Sequence, residues 1–285
     1  MLQLLTAGIL WGTIGVFVKG LASLGADGAL IPFLRMFWAF VIMLAVSLFM
    51  HGRNVIIRDK RTLFFCALLG IVSNGIFNAL YTFSIRANGM GIACVLMYTA
   101  PVFTGIASAI IFREKFSPLK ISALIMNIAG CVLTVTGGDF TGGNVNIAGI
   151  LAGIGTGFCY GMAAVIGRLA GEKADSITVS MYSFFFAMMT VAVMMRPDIS
   201  PALNDWRIAG LGMLYGLVPT SLAYVVYYNS LKLIHDTGKV PVIASIEPVT
   251  AVLIGSIIYG EEIGAANFVG VAVVMISIII MSKAE

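Results

Sequence analysis

Ten apolar runs fill almost the whole sequence, and short polar or glycine- and proline-containing breaks separate them. A helix that crosses a bilayer needs about 20 mostly apolar residues, because it satisfies its own backbone hydrogen bonds in lipid. Only 11% of the 285 residues are charged, and the mean hydropathy is +1.02. A soluble domain carries about 25% charged residues. The sequence therefore predicts an all-α membrane protein with ten transmembrane helices.

The predicted spans are Leu2–Leu21, Ala29–Met50, Thr62–Ile85, Gly91–Phe112, Leu119–Thr136, Ile147–Leu169, Ser176–Met195, Ile208–Leu233, Val240–Tyr259 and Ala265–Met281. The first run has no basic segment before it and carries Lys19 near its end, which favours a helix over a signal peptide. With both termini cytoplasmic, the inner connections hold twelve Lys and Arg residues and the outer side holds four. The positive-inside rule therefore predicts cytoplasmic termini. We expect a multi-pass protein of the bacterial inner (plasma) membrane.

The two halves of the sequence are related. A shift of 147 residues aligns Gly91–Glu114 with Gly238–Glu261, and seven of the 24 aligned positions are identical. A shift of 149 residues aligns Gly8, Trp11, Gly12 and Lys19 with Gly157, Tyr160, Gly161 and Arg168. The sequence thus predicts two five-helix repeats, 1–137 and 147–285, joined near Gly137–Asn146. Because five is odd, the second repeat is inverted, an arrangement typical of secondary transporters that work by alternating access.

Several other functions are disfavoured by the sequence. The four cysteines lie in apolar runs without a C-x-x-C partner, and His51 and His235 lie far apart, so we expect no metal and no cofactor. The segment G-I-G-T-G-F-C-Y-G lacks the spacing of a nucleotide-binding loop. The basic residues form no patch, so we expect no nucleic-acid partner. A channel and a membrane-embedded enzyme are distant alternatives, because neither a continuous polar pore nor a catalytic constellation is visible.

Three motifs resemble those of a known family. They are A-G-I-L-W-G in the first span, P-V-F-T-G-I-A-S-A-I-I-F-R-E at Pro101–Glu114, and E-P-V-T-A-V-L-I-G-S-I-I-Y-G-E at Glu247–Glu261. The chain is similar over nearly its whole length to the EamA-type, ten-helix branch of the drug/metabolite transporter superfamily. The resemblance implies a basket-like bundle, with spans one to four and six to nine around a central cavity. Family members move amino acids, nucleosides, sugars, quaternary amines and other small metabolites, and they differ in coupling.

One carboxylate and two prolines stand out inside the apolar runs. An ionised Glu247 facing lipid would be costly, so it must face a cavity, a partner or a proton. Its repeat partner is Ala100, so the second half alone carries this acid. Glu247 is a candidate for cation recognition or proton coupling, with a purely structural carboxylate as the alternative. Pro101 and Pro248 occupy equivalent positions and predict helix kinks, either as gating points or as static features of the bundle.

Further candidate site residues lie in the predicted cavity helices. Arg35 suits a substrate carboxylate, although such an arginine more often snorkels or pairs internally. Tyrosine rings beside Glu247 would suit an amine or a quaternary ammonium group, and the alternative is helix packing or an interfacial belt. The remaining candidates for substrate binding are Trp11, Asn78, Tyr81, Tyr98, Tyr160, Tyr182, Tyr224 and Tyr228.

Together these features predict a secondary transporter of a small polar organic metabolite. The favoured substrate is an amino acid or an amine-bearing metabolite, moved outward; a quaternary amine, a nucleoside or a sugar is the alternative. The predicted partners are the small-molecule substrate, the lipid bilayer and, as a further candidate, a coupling proton. The oligomeric state is left open.

Overall fold

The first half of the chain is helical. The computed structural model describes residues 1–115, 117–138, 146–234 and 236–283. The α-helices of the first half are α1 Leu2–Gly12, α2 Ile14–Ser23, α3 Leu30–His51, α4 Lys60–Leu68, α5 Phe77–Met97, α6 Ala100–Phe112 and α7 Pro118–Thr136. A 3₁₀ turn follows α3 at Gly52–Val55, and a π-helical segment, Leu69–Ile76, joins α4 to α5.

The second half of the chain is helical as well. Its α-helices are α8 Ile147–Ala170, α9 Ser176–Met195, α10 Ser200–Asn204, α11 Trp206–Gly216, α12 Ala223–Leu233, α13 Val240–Ala244, α14 Ile246–Tyr259 and α15 Ala265–Lys283. A π-helical segment, Leu217–Leu222, joins α11 to α12, and a 3₁₀ turn, Thr237–Lys239, precedes α13. The predicted junction between the halves falls mostly on residues 139–145, which lie outside the described residues, as does His235.

The helices have the length and composition of membrane spans. Nine helical segments in the described ranges are long and apolar enough to cross a bilayer, and Ala100–Phe112 is a shorter apolar helix. One of the nine, Lys60–Met97, is 38 residues long and is interrupted at Gly89, where the backbone turns to φ 82° and ψ 164°. Large apolar side chains such as Phe49 and Ile257 project outward. The chain is an all-α, multi-pass membrane protein.

Polar caps set several helix boundaries. The carboxylate of Asp59 accepts a hydrogen bond from the Thr62 backbone N–H at 3.0 Å, so α4 starts at Lys60, two residues before the predicted span. Asp175 caps α9 in the same way, and Ser176 begins that helix as predicted. At the other end of a span, Gly260 adopts the left-handed conformation that ends α14. These caps satisfy backbone groups that the helix itself leaves unpaired.

The two π-helical segments occupy equivalent positions, because a shift of 147 residues carries Leu69–Ile76 onto residues 216–223. In the second segment Pro219 has no backbone N–H to donate. The Thr220 hydroxyl donates instead to the Tyr215 carbonyl oxygen at 2.9 Å. Neither widened turn was part of the sequence prediction. The turns matter because π-helical turns change which side chains face the bundle interior, and they are frequent at functional sites.

Four connections meet at one end of the bundle, which we call the basic end. They follow α3, α6, α8 and α12. Ion pairs join them: Lys120 Nζ lies 2.5 Å from Asp236 Oδ2, and Lys173 Nζ lies 3.7 Å from Asp59 Oδ1. These are connections that the positive-inside rule assigns to a single side of the membrane. The other face of the bundle, where α2 and α14 end, is called the opposite end.

Candidate functional site

Three of the membrane helices are interrupted near their middle. The breaks lie at Thr13 between α1 and α2, at Tyr98–Thr99 between α5 and α6, and at Ser245 between α13 and α14. At each break a hydroxyl group donates to the carbonyl oxygen three residues earlier, at 2.5–2.7 Å. The backbone N–H of the same residue donates to that carbonyl oxygen too, at 3.2–3.3 Å, so the side chain and the backbone together close a tight turn at each break.

The twin prolines lie just after two of these breaks. Pro101 is the second residue of α6, and Pro248 is the third residue of α14. In the first turn of a helix a missing N–H costs little, because that N–H has no partner within the helix. The prolines therefore begin new helical segments, whereas the sequence suggested kinks within continuous helices.

Glycines on neighbouring helices pack against the backbone carbonyls at two of these breaks. A Cβ atom on Gly8 would lie 2.5 Å from the Ala244 carbonyl oxygen, so a larger residue could not approach so closely. Gly157, which the shift of 149 residues aligns with Gly8, approaches the other half in the same way: its Cβ would lie 3.4 Å from the carbonyl oxygen of Met97, the residue aligned with Ala244, and 2.8 Å from that of Leu96. Two further pairs follow the same relation, namely Gly12 with Glu247 and Gly161 with Ala100. The carbonyls at the breaks thus face the glycines of a neighbouring helix, which is close packing of the small-residue kind.

Glu247 lies in the first turn of α14, inside the bundle. Its Oε2 accepts a hydrogen bond from the Tyr160 hydroxyl at 3.1 Å, and none of the described residues donates to its Oε1. Glu247 and Tyr160 are both half-buried, so neither side chain is sealed inside packed protein. A half-buried acid with one uncommitted oxygen can accept hydrogen bonds from a cationic ligand.

Tyr160, the donor to this acid, belongs to an aromatic cluster that has Trp11 at its centre. The Trp11 ring centroid lies 6.1 Å from Tyr160, 5.3 Å from Tyr224 and 5.1 Å from Tyr227. The indole Nε1 of Trp11 is buried and donates to no acceptor in the part of the chain that the structure describes. Buried donors are nearly always paired, so this N–H is a candidate contact for a ligand.

Arg35 approaches the same cluster from α3. It is buried, and its Nε donates to the Thr220 hydroxyl oxygen at 3.0 Å. The guanidinium carbon lies 5.4 Å from the centroid of the Tyr215 ring, and Arg35 interacts electrostatically with Glu247. The bond to Thr220 uses Nε, and the side chains of Tyr215 and Tyr224 are further hydrogen-bonding partners of the guanidinium. A substrate carboxylate bound to the terminal nitrogens in bidentate fashion would take the place of such hydroxyl partners. Arg35 points into the bundle and does not snorkel to the membrane surface.

Tyr81 and Tyr98 join the edge of the cluster. The Tyr81 ring stacks on Phe77 at 5.8 Å, and Phe77 lies 5.8 Å from Tyr160. The Tyr81 hydroxyl lies 2.9 Å from Cys94 Sγ. Tyr98 is buried in an apolar cluster against which Tyr81 and Tyr160 pack.

Three other predicted residues have different surroundings. Tyr228 contacts Tyr224, with ring centroids 5.6 Å apart, and belongs to the outer part of the aromatic cluster. The Asn78 side chain donates to the Asn74 carbonyl oxygen at 2.5 Å, beside the first π-helical segment. Tyr182 lies elsewhere, because its hydroxyl accepts a hydrogen bond from Ile57 N–H at the basic end of the bundle.

The sequence interpretation missed Tyr215, Thr220 and Phe77. Tyr215 and Tyr224 are nine residues apart, which places them on opposite faces of a straight α-helix, about 2.5 turns apart. The π-helical segment between them changes this phase, so that both interact with Arg35. Pro219 was the available signal, since a proline within a predicted span predicts a local disturbance of the helix.

No group of three His, Cys, Asp or Glu side chains that could hold a metal ion occurs among residues 1–115, 117–138, 146–234 and 236–283. The arrangement instead offers one acid, one guanidinium and a set of aromatic rings within a bundle of interrupted membrane helices. Polar groups at interrupted helices in the middle of a helical membrane protein are the features of a solute transporter.

Comparison with known proteins gives the family. The EamA-like transporter family matches residues 1–136 and again residues 147–283. The chain belongs to the EamA-like transporter family. A solved crystal structure superposes with a TM-score of 0.79 at 17% identity, over 99% of this chain and 97% of the other, which shows a shared fold.

Several relatives are named as transporters. An uncharacterized transporter of Archaeoglobus fulgidus is 27% identical, over 95% of this chain and 92% of the relative. The uncharacterized inner membrane transporter YicL of Salmonella typhimurium is 21% identical, over 99% and 94%. The threonine/homoserine exporter RhtA of Escherichia coli is 26% identical, over 67% and 62%.

Proposed function

We propose that the protein is a secondary transporter that exports a small amino acid, or a related amine-bearing metabolite, by alternating access. The observation that carries this proposal is the presence of two opposite charges inside the bundle, a half-buried Glu247 and a buried Arg35, each beside aromatic rings. Both charges lie inside a membrane bundle, where an isolated charge is costly and is retained mainly at functional sites.

A zwitterion fits both charges at once. Its ammonium group binds the free oxygen of Glu247 and the faces of the neighbouring aromatic rings. Its carboxylate binds the terminal nitrogens of Arg35, whose planar geometry matches two carboxylate oxygens. An uncharged sugar would bring no opposite charge to either Glu247 or Arg35. The site therefore favours an amino acid over the uncharged substrates of this family.

One relative supports the substrate class. RhtA is named a threonine/homoserine exporter, and both of those compounds are small α-amino acids with a hydroxyl group. In this chain the unpaired Trp11 N–H lies in the same cluster as Glu247 and is a candidate donor to such a hydroxyl. Outward transport of a threonine-like amino acid is thus the most specific form of the proposal.

We infer ten membrane crossings, arranged as two inverted repeats at 1–137 and 147–285 with both termini cytoplasmic. The break at Gly89 supports a division of Lys60–Met97 into one crossing and the beginning of the next, which α6 completes. The separate family matches to residues 1–136 and 147–283 support the two repeats. The equivalent contacts of Gly8 and Gly157 with helix breaks support the same relation in space.

Counterflow in proteoliposomes tests the function. Vesicles containing the purified protein and preloaded with unlabelled L-threonine should accumulate radiolabelled L-threonine transiently and saturably. L-homoserine should compete, and glucose should not. The test variant is Arg35→Gln, which removes the guanidinium and should lower accumulation of L-threonine at least tenfold. Accumulation of a sugar or nucleoside, with no response to any amino acid, would contradict the proposed substrate class.

A further inference from the structure

Two clusters at opposite ends of the bundle are equivalent under the repeat. We call Glu114, Arg168 and Phe112 the Glu114 clamp, and Glu261, Lys19 and Tyr259 the Glu261 clamp. A shift of 147 residues carries Phe112 and Glu114 onto Tyr259 and Glu261, and a shift of 149 carries Lys19 onto Arg168. Each clamp therefore holds an acid, a cation and an aromatic ring in corresponding positions.

The same contacts form in both clamps. Arg168 Nη1 lies 2.7 Å from Glu114 Oε1, and the Arg168 guanidinium lies 4.2 Å from the Phe112 ring centroid. In the other clamp Lys19 pairs with Glu261, and its Nζ lies 4.3 Å from the Tyr259 ring centroid. The acid, the cation and the ring are thus arranged alike at the two ends, as two copies of one device would be.

A third contact distinguishes the clamps. The Thr237 backbone N–H donates to Glu114 Oε1 at 2.9 Å, and the Gly238 N–H donates to Oε2 at 3.1 Å. Glu114 therefore fastens the end of α6 to the turn that begins α13. Its side chain is only 11% exposed, because this contact covers it.

The corresponding contact of Glu261 is open. The repeat partners of Thr237 and Gly238 are Met90 and Gly91, which follow the break at Gly89 and begin a new helical segment. Both are exposed, and a Cβ atom on Gly91 would meet no atom within 4 Å. In the described structure neither N–H donates to Glu261, whose side chain is 53% exposed. The N–H groups of Met90 and Gly91 therefore lie at the start of a helical segment, as those of Thr237 and Gly238 do, but Glu261 does not contact them.

We propose that the two clamps close alternately and so seal opposite ends of the transport path. The structure has the Glu114 clamp closed and the Glu261 clamp open. In the other state Glu261 accepts hydrogen bonds from the Met90 and Gly91 N–H groups, and Glu114 releases Thr237 and Gly238. Inverted repeats can exchange conformations. The contacts of the Glu114 clamp in this structure therefore give the contacts that the Glu261 clamp makes in the other state. This inference rests on the alternating-access part of the proposed function.

Charge and helix geometry make each closed clamp stable and reversible. The first N–H groups of a helical turn have no partner within the turn, so those of Thr237 and Gly238 can donate to a carboxylate. Hydrogen bonds to a charged acceptor are about twice as strong as neutral ones. Each clamp lies at a membrane surface, where water can solvate the acid after release. The two states can therefore differ little in free energy, as an alternating device requires.

Cysteine alkylation tests the exchange without any substrate. In a background with the four native cysteines replaced by alanine, one reporter is Met90→Cys and the other is Thr237→Cys. Met90 is 56% exposed and Thr237 is 1% exposed, so N-ethylmaleimide should modify the first reporter rapidly and the second slowly. Glu114→Gln should accelerate modification at position 237 by about tenfold and slow it at position 90 by a similar factor. Glu172→Gln and Glu262→Gln are the matched controls, and both rates should stay unchanged.

A double variant separates alternation from simple loosening. With Glu114→Gln and Glu261→Gln together, position 90 should remain rapidly modified, because Glu261 can no longer close over it. If Glu114→Gln does not yield monodisperse protein, Arg168→Gln loosens the same clamp and should give the same reciprocal change.

Two results would reject parts of this picture separately. If Glu114→Gln exposes position 237 and leaves the rate at position 90 unchanged, the clamps act independently and the inference is wrong, even if L-threonine counterflow is intact. If the reciprocal change occurs while every amino acid fails in counterflow, the clamps stand and the proposed substrate is wrong.

Discussion

Arg35 in the first half of the chain donates a hydrogen bond from Nε to the Thr220 hydroxyl oxygen in the second half at 3.0 Å, and both residues are buried. The Thr220 hydroxyl in turn donates to the Tyr215 carbonyl oxygen. In a regular helix the residue at position 219 would donate to that oxygen, but Pro219 has no backbone N–H. The π-helical segment Leu217–Leu222 therefore holds one end of the guanidinium that α3 contributes.

Removing this hydroxyl should weaken recognition of the substrate carboxylate. Thr220→Val keeps the shape of the side chain but leaves Arg35 free to rotate. We expect the KM for L-threonine in counterflow to rise about tenfold, since a hydrogen bond to a charged group contributes about 1.5–3 kcal/mol. Thr220→Ser retains the hydroxyl and should stay near wild type. Inhibition by 1-amino-2-propanol, which lacks the carboxylate, should be equal in all three proteins; equal losses for both compounds would argue for a general structural defect.

Glu247 should control both cation recognition and any coupling to protons. Glu247→Gln keeps the size of the side chain and removes its charge, so L-threonine counterflow should fall at least tenfold and lose its dependence on pH. Tyr160→Phe removes one hydrogen bond to the acid, and we expect it to retain that pH dependence. The measurement is initial uptake at several pH values, with Glu262→Gln as the surface control. A Gln variant that transports like wild type at every pH would exclude a coupling role for Glu247.

The Glu114 clamp should make stability depend on pH. Burial opposes ionisation of Glu114, but hydrogen bonds from Thr237 and Gly238 outweigh it and hold the pKa of Glu114 below its ordinary value of 4.5. A group with a lowered folded pKa stabilises the protein above its unfolded pKa and loses that contribution as the pH falls through its folded pKa. The difference in thermal midpoint between wild type and Glu114→Gln should therefore be constant near neutral pH and shrink below about pH 4.5.

Fluorimetric unfolding of both proteins across this pH range measures that difference. The same comparison with Glu172→Gln controls for general effects of acid. A difference between wild type and Glu114→Gln that stays constant far below pH 4.5 would show that the ionised Glu114 is not what stabilises the clamp.

Close approach at the helix breaks can be tested with two glycines. A Cβ atom on Gly157 would collide with the Thr99 hydroxyl and lie 2.8 Å from the Leu96 carbonyl oxygen. Gly157→Ala should therefore cost about 1–3 kcal/mol and lower the thermal midpoint by several degrees. Gly15→Ala is the matched control, because a Cβ there meets no atom within 4 Å and alanine favours helix. Equal midpoints for both variants would contradict the packing described here.

Local chemistry made much of the helical structure predictable. The start of α9 at Ser176 and the end of α7 at Thr136 agree with the sequence prediction, because Asp175 and Gly137 are strong cap residues next to long apolar runs. Glu247 was also recognisable, since a carboxylate in such a run has few tolerable environments. The family followed from motifs that the chain carries in order.

The contacts within the site depend on packing between distant segments. The sequence contains Arg35 and Thr220, but 185 residues separate them, and only the packing of α3 against the second π-helical segment joins them. Tyr215 escaped prediction because the widened turn changes the helical phase that a sequence pattern assumes. Tyr182 was predicted as a site residue because tyrosine suits an aromatic site. Its position on α9 instead places it at the basic end, next to Ile57.

The sequence by itself thus determined the membrane environment, the apolar helices and their approximate ends, because lipid burial and capping are properties of neighbouring residues. It also placed Glu114 and Glu261 in equivalent positions. Only the tertiary structure decided that Glu114 holds the Thr237 and Gly238 N–H groups while Glu261 holds neither Met90 nor Gly91. The physical reason is that a sequence pattern aligns the two acids, whereas the packing of distant helices decides which acid reaches a turn.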